Sequence, residues 1–391
     1  MFVKKKGKKV FVGMSGGVDS SVAAALLKKE GYDVVGVHLK CFNVDGCAAQ
    51  DAEDARRAAE HLNIPFYTFD YEKEYKQRVV DYMVAGYKKG ITPNPDVMCN
   101  KEIKFGLFFD KAMELGADFV ATGHYVRRIT NNDKQATNNF GKKLSKSRYM
   151  LSVARDSNKD QSYFLWALKP ELLSRCLFPI GEYKKPQVRK LAEKFGLHNA
   201  LKKDSQGICF LGQVDLPDFL KKYIKPKKGM IVDVHGNELG EHHGAHFYTI
   251  GQRHGITITN KRRTTNDGDT KPHYVVSKDV KKNILVVAEG EDHPALFKRQ
   301  IDLMDVNVFQ PITRGKLPLT VYARVRYRQP LVPAELVLSI PYKVSRMKQP
   351  YLIPNTKYKI LFKKPVKFVA SGQSAVFYDK KGAMLGGGII K

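Results

Sequence analysis

Short apolar runs separated by stretches of helical spacing fill the first third of the chain. Residues 10–13, 34–39, 65–69 and 119–122 are mostly apolar runs of strand length, and residues 51–62 place alanine and leucine on one helical face. Strands that alternate with helices in this way predict a doubly wound parallel sheet. Because ligands bind such sheets at the carboxyl ends of the strands, we expect the chemistry to lie just after these runs.

The pattern changes farther along the chain. Residues 160–225 have helical character, clearest over 186–195, and residues 230–234 and 284–287 then have the pattern of short strands. Alternation with a period of two, as over 319–326, predicts a small antiparallel barrel. The α/β part is therefore expected to be followed by β-rich parts.

Three domains are predicted from these patterns. We expect an α/β domain with a helical extension over residues 1–210, a small β-rich central domain over 211–274 and a C-terminal antiparallel β-barrel over 275–391. A chain of 391 residues is long enough for that many hydrophobic cores. Two polar stretches, 131–146 and 260–271, predict loops.

A Ser-Gly-Gly turn ends the first strand and opens the first helix. Backbone N–H groups of such a turn bind anions, and Ser15, Ser20 and Ser21 add hydroxyl donors. The turn has no lysine, so it is not the G-x-x-x-x-G-K-[ST] loop. It resembles the SGGxDS pyrophosphate loop of ATP pyrophosphatases, which adenylate a substrate and release pyrophosphate. The alternative is a strand–turn–helix junction with small residues for packing; Asp19 at the helix start favours the nucleotide site.

The chain is strongly basic. It has 67 Lys and Arg against 39 Asp and Glu, a net charge of +28. Such an excess is typical of proteins that bind polyanions, because each phosphate contact releases condensed counterions. The alternative is a lysine-biased proteome, in which solvated lysines carry no function. No run reaches the roughly 18 apolar residues that span a bilayer, and the basic residues 1–9 are too short for a targeting peptide. We expect a cytoplasmic protein that binds nucleic acid and no membrane.

Cys99 lies in a segment with the features of a reactive thiol. Residues 92–105 contain two prolines that stiffen the loop, then Asp96 and the cysteine, with Lys101 and Lys104 at the start of a predicted helix. A helix N-terminus and nearby lysines lower the pKa of a thiol and favour the thiolate. The alternative is a buried structural cysteine, which more often lies inside an apolar run.

The other four cysteines carry weaker signals. Five cysteines at irregular spacing argue against a disulfide scaffold. Cys209 has apolar neighbours, as a core thiol has, although the polar residues 204–207 before it indicate an exposed loop. The gap between Cys41 and Cys47 is a poor match to a zinc site, and Cys176 has the surroundings of a structural thiol. Histidines at positions 235, 242, 243, 246 and 254 have no thiol or carboxylate at ligand spacing, so we expect no metal site in the chain.

Several segments occur in an order that resembles one family. They are the glycine turn, TPNPDVMCNKEIKF (92–105), ATGHY (121–125), KDQSYFL (159–165), GICF (207–210), YTIGQR (248–253), RVRYRQ (324–329), SGQ (371–373) and LGGGII (385–390). Together they resemble the tRNA-specific 2-thiouridylases, bacterial enzymes that thiolate the wobble uridine of tRNA. The resemblance runs from residue 10 to the end. Departures are small: Gln206 stands where that family commonly has Thr, and Leu39 where it commonly has Met.

The resemblance implies a role for each motif. It implies that ATP is held by Gly13, Met14, Ser15, Gly16, Gly17, Val18, Asp19, Ser20, Leu39 and Gly123, with Mg²⁺ offsetting the phosphate charge. It implies Cys99 as the nucleophile and Cys209 as the persulfide carrier, and we expect Asp96 to move a proton. The target base would contact Asn94, Pro95 and Asp96, and the tRNA would contact His124, Lys159, Asp160, Gln161, Arg326, Tyr327 and Gln373. The implied partners are tRNAs for Lys, Glu and Gln, and a sulfur-relay protein or a cysteine desulfurase.

Two other classes of protein fit parts of these observations. An adenylating synthetase of small molecules fits the glycine turn but leaves the charge and both cysteine segments without a role. A non-catalytic RNA-binding protein with an ATP fold fits the charge. A turnover of ATP that depends on tRNA separates it from a thiolating enzyme.

Overall fold

The computed structural model describes residues 7–42, 44, 48–130, 149–203, 214–259, 271–310, 317–338 and 358–391. Two predictions therefore concern residues outside the described part of the chain: Cys209 as persulfide carrier, and the loops over 131–146 and most of 260–271. Cys47, which was considered and rejected as a zinc ligand, also lies outside it. No helix in the described ranges is both long and apolar enough to cross a membrane.

The helices and strands follow one another in this order. The strands are β1 (Lys9–Gly13), β2 (Asp33–Lys40), β3 (Phe66–Asp70), β4 (Phe119–Thr122), β5 (Arg127–Thr130), β6 (Tyr149–Ser152), β7 (Cys176–Leu177), β8 (Gly229–Val232), β9 (Glu238–His242), β10 (His273–Asp279), β11 (Ile284–Glu289), β12 (Phe297–Val308), β13 (Leu319–Arg324), β14 (Val332–Leu338), β15 (Tyr358–Lys367), β16 (Ser374–Tyr378) and β17 (Met384–Ile390). The α-helices are α1 (Val18–Lys29), α2 (Ala48–His61), α3 (Glu72–Tyr75), α4 (Asp81–Lys88), α5 (Pro95–Met98), α6 (Phe108–Glu114), α7 (Lys185–Lys194) and α8 (Leu216–Lys221). Two π-helical segments, Lys76–Val80 and Cys99–Leu107, continue α3 and α5 into α4 and α6.

The first domain is built on a five-stranded parallel sheet with the order β3-β2-β1-β4-β7. Central β1 is flanked by two strands, and its residues Val10 and Val12 are fully buried. A strand covered on both faces needs a continuous apolar run, which is why the sequence there does not alternate. Helix α1 packs on the same core through Val22 and its alanines. The predicted doubly wound parallel sheet is confirmed.

The two domains that follow the first one consist mainly of β-strands, as predicted. The middle sheet has the order β10-β11-β8-β9, and strands β12 to β17 close into a barrel with antiparallel pairs throughout. The predicted domain boundary at residue 274 falls inside β10, because β10 and β11 pair with the middle sheet rather than with the barrel. Period-two alternation looks the same in both sheets, so the sequence could not assign these strands.

The expected helical stretch over 160–225 differs from the observed structure. Within the described part it contains α7, α8, the short strand β7 and two 3₁₀ turns, Ser162–Leu165 and Pro170–Arg175. Prolines at 170, 179, 186 and 217 divide the stretch, because proline lacks the N–H that a helix interior needs.

The barrel is joined to the first domain by a shared core. One cluster of buried apolar side chains contains Phe108 and Trp166 of the first domain together with Val376 and Met384 of the barrel. The Trp166 indole N–H donates to Ser374 Oγ at 2.9 Å. Its ring lies so close to Gly387 that a Cβ there would be 2.6 Å from Trp166 Cγ. The glycines of the LGGGII segment therefore let β17 approach this tryptophan.

Candidate functional site

The glycine loop, residues 13–20, lies at the carboxyl end of β1 and leads into α1. Gly16 has a φ of +74°, which glycine adopts at little cost. The Ser15 N–H donates to Ser20 Oγ at 3.2 Å, and the Ser20 hydroxyl donates to the Gly17 carbonyl at 3.1 Å. Gly17 is the N-cap of α1 and contributes no side-chain cap. The first N–H groups of this 12-residue helix therefore have no side-chain acceptor at the cap, an arrangement that suits a phosphate.

Gly123 fits against the start of α1. A Cβ at this position would be 2.6 Å from Ser20 N and 2.7 Å from the Asp19 carbonyl carbon. Only glycine allows the end of β4 to approach the helix backbone so closely. The sequence prediction that Gly123 belongs with the glycine loop thus has a steric basis in the fold.

His124, the next residue, packs against the segment that begins at Cys99. Its ring centroid lies 6.1 Å from that of Phe105, which belongs to the π-helical segment that begins at Cys99. The side chain is buried, and its Nδ1 lies 2.8 Å from Thr122 Oγ1. Burial, aided by the charge of Lys104, holds the pKa of His124 well below its ordinary value. The imidazole is therefore neutral at pH 7.

Asp19 is held by two side chains that the sequence analysis did not identify. The Tyr125 hydroxyl donates to Asp19 Oδ1 at 2.8 Å, and Lys185 Nζ donates to both carboxylate oxygens at 2.8 and 2.9 Å. Lys185 is buried at the start of α7. It supplies the positive charge that the glycine loop itself lacks. A lone lysine at a helix start has no local pattern that could have indicated this contact.

Two further contacts come from the segment after α7. The Asn199 amide donates to the Gly16 carbonyl and to Ser21 Oγ, both at 3.0 Å. Lys202 Nζ lies 2.7 Å from Asp51 and 2.6 Å from Asp54, on helix α2. No motif in the sequence pointed to these side chains either.

Cys99 is buried at the junction of α5 and a π-helical segment. Asn94 caps α5 by accepting a hydrogen bond from the Val97 N–H at 3.2 Å, and Pro95 occupies the first helical position. The helix thus begins four residues ahead of the thiol, earlier than the start expected near Lys101, so Cys99 does not lie at a helix N-terminus. Cys99 itself is 3% exposed and lies in an apolar cluster with Ile103. The thiol is buried as in the alternative considered for it, and a substrate must displace side chains to reach it.

Leu39 links the two halves of the site. It lies in β2, one strand from the glycine loop, and its side chain packs against the apolar cluster that contains Cys99. Met14, in the glycine loop, is fully buried and its N–H donates to the Val37 carbonyl at 2.8 Å. The loop and the cysteine segment therefore share one end of the parallel sheet.

All three domains meet at Thr92, the first residue of the segment that contains Cys99. The Thr92 N–H donates to the Ser371 carbonyl at 2.8 Å, and the Gln373 amide donates to the Thr92 carbonyl at 2.9 Å. The Thr92 hydroxyl lies 3.3 Å from that of Thr249 in the middle domain. Barrel and middle domain thus fix the segment that leads to Cys99. Gln373, expected to contact tRNA, directs its amide to this junction.

The residues expected to contact the target base or the tRNA differ in how far they are exposed. Asn94, Pro95, His124 and Asp160 are buried, whereas Asp96, Lys159, Gln161, Arg326, Tyr327 and Gln373 are partly exposed. Asp160 is 3% exposed and pairs with Arg324 at 2.6 Å, so it joins the first domain to the barrel. The Gln161 side chain accepts from the Tyr125 N–H at 2.9 Å, and the Tyr327 ring lies 4.5 Å from that of Phe164.

Arg326 lies between the barrel and the middle domain. Its guanidinium donates to the Ile250 carbonyl at 3.0 Å and lies 5.9 Å from the ring of Phe368. Burial lowers the pKa of Arg326 from its ordinary value, although a guanidinium stays charged at pH 7. A partly exposed cation at a domain boundary suits a phosphate contact.

No metal cage is formed by the described residues: no group of three or more His, Cys, Asp or Glu side chains converges among them. That the chain holds no metal site of its own stays a prediction. The acidic side chain of the glycine loop itself, Asp19, is paired with Lys185.

Three known domain families match the chain, in the same order as the three domains of the fold. Residues 8–213 match the tRNA methyl transferase HUP domain, residues 217–289 the tRNA methyl transferase PRC-barrel domain, and residues 298–390 the aminomethyltransferase β-barrel domain. The fold, the glycine loop and these matches together define the class of protein: it is a HUP-domain protein in which two β-domains follow the HUP domain along the chain.

Relatives identify the family within that class. The chain is 45% identical over 390 residues to the tRNA-specific 2-thiouridylase MnmA 1 of Geobacillus kaustophilus, covering 98% of this chain and 96% of that protein. It is 43% identical over 392 residues to the tRNA-specific 2-thiouridylase MnmA of Salmonella arizonae, covering 98% and 97%. The chain belongs to the tRNA-specific 2-thiouridylase family. Among solved structures, the match to the NMN synthetase of Francisella tularensis covers 54% of this chain and 70% of that chain, at 19% identity and a TM-score of 0.32.

Proposed function

We propose that this protein uses ATP to convert the wobble uridine of tRNA to 2-thiouridine, with a protein persulfide as sulfur source. The observation that carries the proposal is the pair Gly123–His124. Gly123 touches the start of α1 and His124 touches the helix that begins with Cys99. Two consecutive residues thus contact the start of α1 and the π-helical segment that begins at Cys99, which supports a site shared by the glycine loop and that segment.

The glycine loop would bind the phosphates of ATP. The oxygen on C2 of uracil is a poor leaving group, and transfer of AMP to it, with release of pyrophosphate, makes it a good one. The backbone N–H groups at the start of α1 would stabilise the charge on the departing pyrophosphate. Mg²⁺, which usually arrives with the phosphates rather than in an all-protein cage, would neutralise part of that charge.

Sulfur transfer would use both cysteines. The terminal sulfur of a persulfide on Cys209 attacks C2, and AMP leaves. The Cys99 thiolate then attacks the Cys209 sulfur, the S–S bond to the substrate sulfur breaks, and that sulfur stays on C2 as the thiocarbonyl. The two cysteines end as a disulfide, which an external thiol must reduce before the next cycle. Asp96, partly exposed beside Asn94 and Pro95, would accept the proton that leaves during attack.

Recognition of tRNA would combine charge and base contacts. A net charge of +28 suits the phosphate backbone, and the wobble base must leave its stack to reach a buried thiol. Arg326, Tyr327 and Lys159 are partly exposed and lie on the first domain and the barrel. The sulfur would arrive from a relay protein or a cysteine desulfurase, and the substrates would be tRNAs for Lys, Glu and Gln.

The test is nucleoside mass spectrometry of tRNA incubated with the protein, ATP and a persulfide donor. We expect Cys99→Ala and Cys209→Ala to abolish 2-thiouridine while tRNA affinity stays within about twofold. Cys176→Ala is the matched control: Cys176 is fully buried in β7, burial raises its pKa to about 12, and its loss should leave thiolation intact. Wild-type amounts of 2-thiouridine from either of the first two variants would refute the two-cysteine scheme.

A further inference from the structure

Asn199 contacts the glycine loop from a segment that no sequence motif covers. Its amide nitrogen donates to the Gly16 carbonyl and to Ser21 Oγ, both at 3.0 Å. The side chain is 3% exposed, so water does not compete for these bonds. The Asn199 amide oxygen has no hydrogen-bond partner among the described residues. The contact to the glycine loop is therefore what orients this amide.

The bond to Gly16 sets the orientation of the peptide that joins Gly16 to Gly17. In a trans peptide the carbonyl and the following N–H point in opposite directions. A carbonyl directed at Asn199 therefore turns the Gly17 N–H to the other side of the loop. Both flanking residues are glycine, and Gly16 already has a φ of +74°, so no Cβ opposes a flip of this peptide.

Ser21 extends the contact to the next carbonyl. Its hydroxyl donates to the Gly17 carbonyl at 3.1 Å, which leaves its oxygen to accept from Asn199. One amide group thus restrains two successive peptides, the first directly and the second through Ser21. Helix α1 begins at the following residue, Val18.

We propose that Asn199 is a positioning residue for ATP, which holds the Gly16–Gly17 peptide with its N–H toward the phosphates. The proposal rests on the proposed function. Without this amide, the Gly16 carbonyl can turn toward the phosphate site, where its oxygen repels the ligand and one N–H donor is lost. Asn199 would then act on ATP affinity and leave tRNA affinity unchanged.

The experiment measures the Kd of ATP by calorimetry without tRNA, and then KM for ATP, kcat and tRNA affinity. Asn199→Asp keeps the shape but replaces both N–H donors by an anion, and should raise the Kd of ATP by tenfold or more. Asn199→Ala removes the donors only and should raise it by roughly three- to tenfold. For both, kcat at saturating ATP and the Kd of tRNA should stay within about twofold of wild type.

Asn307→Ala is the matched control. The Asn307 amide also donates to two acceptors, the carbonyls of Trp166 and Leu168 at 2.7 Å, but at the barrel junction. It should lower the melting temperature and leave the Kd of ATP unchanged. The proposal is overturned if the Asn199 variants bind ATP like wild type, or if Asn307→Ala raises the Kd of ATP as much as they do. Failure of the wild-type protein to bind ATP at all would instead refute the proposed function.

Discussion

Breaking the ion pair between Asp160 and Arg324 should destabilise the protein strongly. The two side chains are 3% and 7% exposed, and Arg324 Nη2 lies 2.6 Å from Asp160 Oδ2. The same carboxylate accepts from the Ala154 N–H at 3.0 Å and from the Ser162 hydroxyl at 3.0 Å. The pair crosses from the first domain to β13 of the barrel. Loss of either partner leaves a buried charge without its counter-ion.

The expected magnitude follows from that burial. Removing one partner of a buried ion pair costs about 3–5 kcal/mol of unfolding free energy. An unfolding entropy of about 2.1 cal/mol/K per residue, over 391 residues, gives about 0.8 kcal/mol/K. Arg324→Leu or Asp160→Asn should therefore lower the melting temperature by about 4–6 °C. The double variant should lose less than the sum of the two, since it removes both charges.

The assay is thermal unfolding followed by circular dichroism, with tRNA affinity measured alongside. The control is Lys228→Leu, because Lys228 and Glu241 form an ion pair at 3.0 Å with 74% and 61% of their side chains exposed. That variant should change the unfolding free energy by about 0.5 kcal/mol or less. A single variant at Asp160 that loses tRNA affinity but no stability would show that this carboxylate serves the tRNA rather than the domain junction.

Three further outcomes follow from the site and its surroundings. Gly123→Ala should weaken ATP binding at least tenfold in calorimetry, because its Cβ would be 2.6 Å from Ser20 N; unchanged affinity would contradict the steric argument. Burial lowers the pKa of His124 in the folded state below its ordinary 6.5, so below that pH the unfolded state binds a proton that the folded state does not. The free energy of unfolding should therefore fall, by up to about 1.4 kcal/mol per pH unit, as the pH drops below 6.5. His124→Phe should reduce this fall when unfolding by urea is measured at several pH values. Burial also lowers the pKa of Lys278 from 10.5 to about 8, so the free energy of unfolding should rise with pH between these two values. Lys278→Met should remove that rise. The same pH dependence in the variant and the wild type would refute the lowered pKa of Lys278.

The parts of the fold that the sequence could predict depend on local patterns. Strands β1 to β4 and helix α2 lie within a few residues of their predicted bounds. For β1, β2 and β4 the reason is that a buried parallel strand needs an unbroken apolar run, whereas β3 is an exposed edge strand. The barrel was predicted from alternation. The domain boundary at residue 274 stays a prediction. The strand that contains this residue, β10, pairs with β11 of the middle sheet, and alternation shows that one face of a strand is buried, not which sheet the strand joins.

The site was predictable only where its residues form a contiguous motif. The glycine loop was visible as local chemistry, whereas the cap that Asn94 provides for α5 was not predicted. Lys185 and Asn199 were not, because each is a single polar residue whose partner lies more than 160 positions away along the chain. The burial of Cys99 was only the alternative for the same reason: its polar sequence neighbours favoured a reactive thiol, whereas most of the apolar cluster around it comes from other elements.

The junction at Thr92 has a consequence for synthesis of the chain on the ribosome. The bond from Gln373 to the Thr92 carbonyl joins residues 281 positions apart. At about 5–20 residues per second, the partner of Thr92 is made roughly 15–55 s after Thr92 itself. The first domain can form its sheet during that interval, but the segment before Cys99 cannot reach its final geometry. The nascent chain therefore cannot fix the segment that leads to Cys99 until Gln373 has been synthesised.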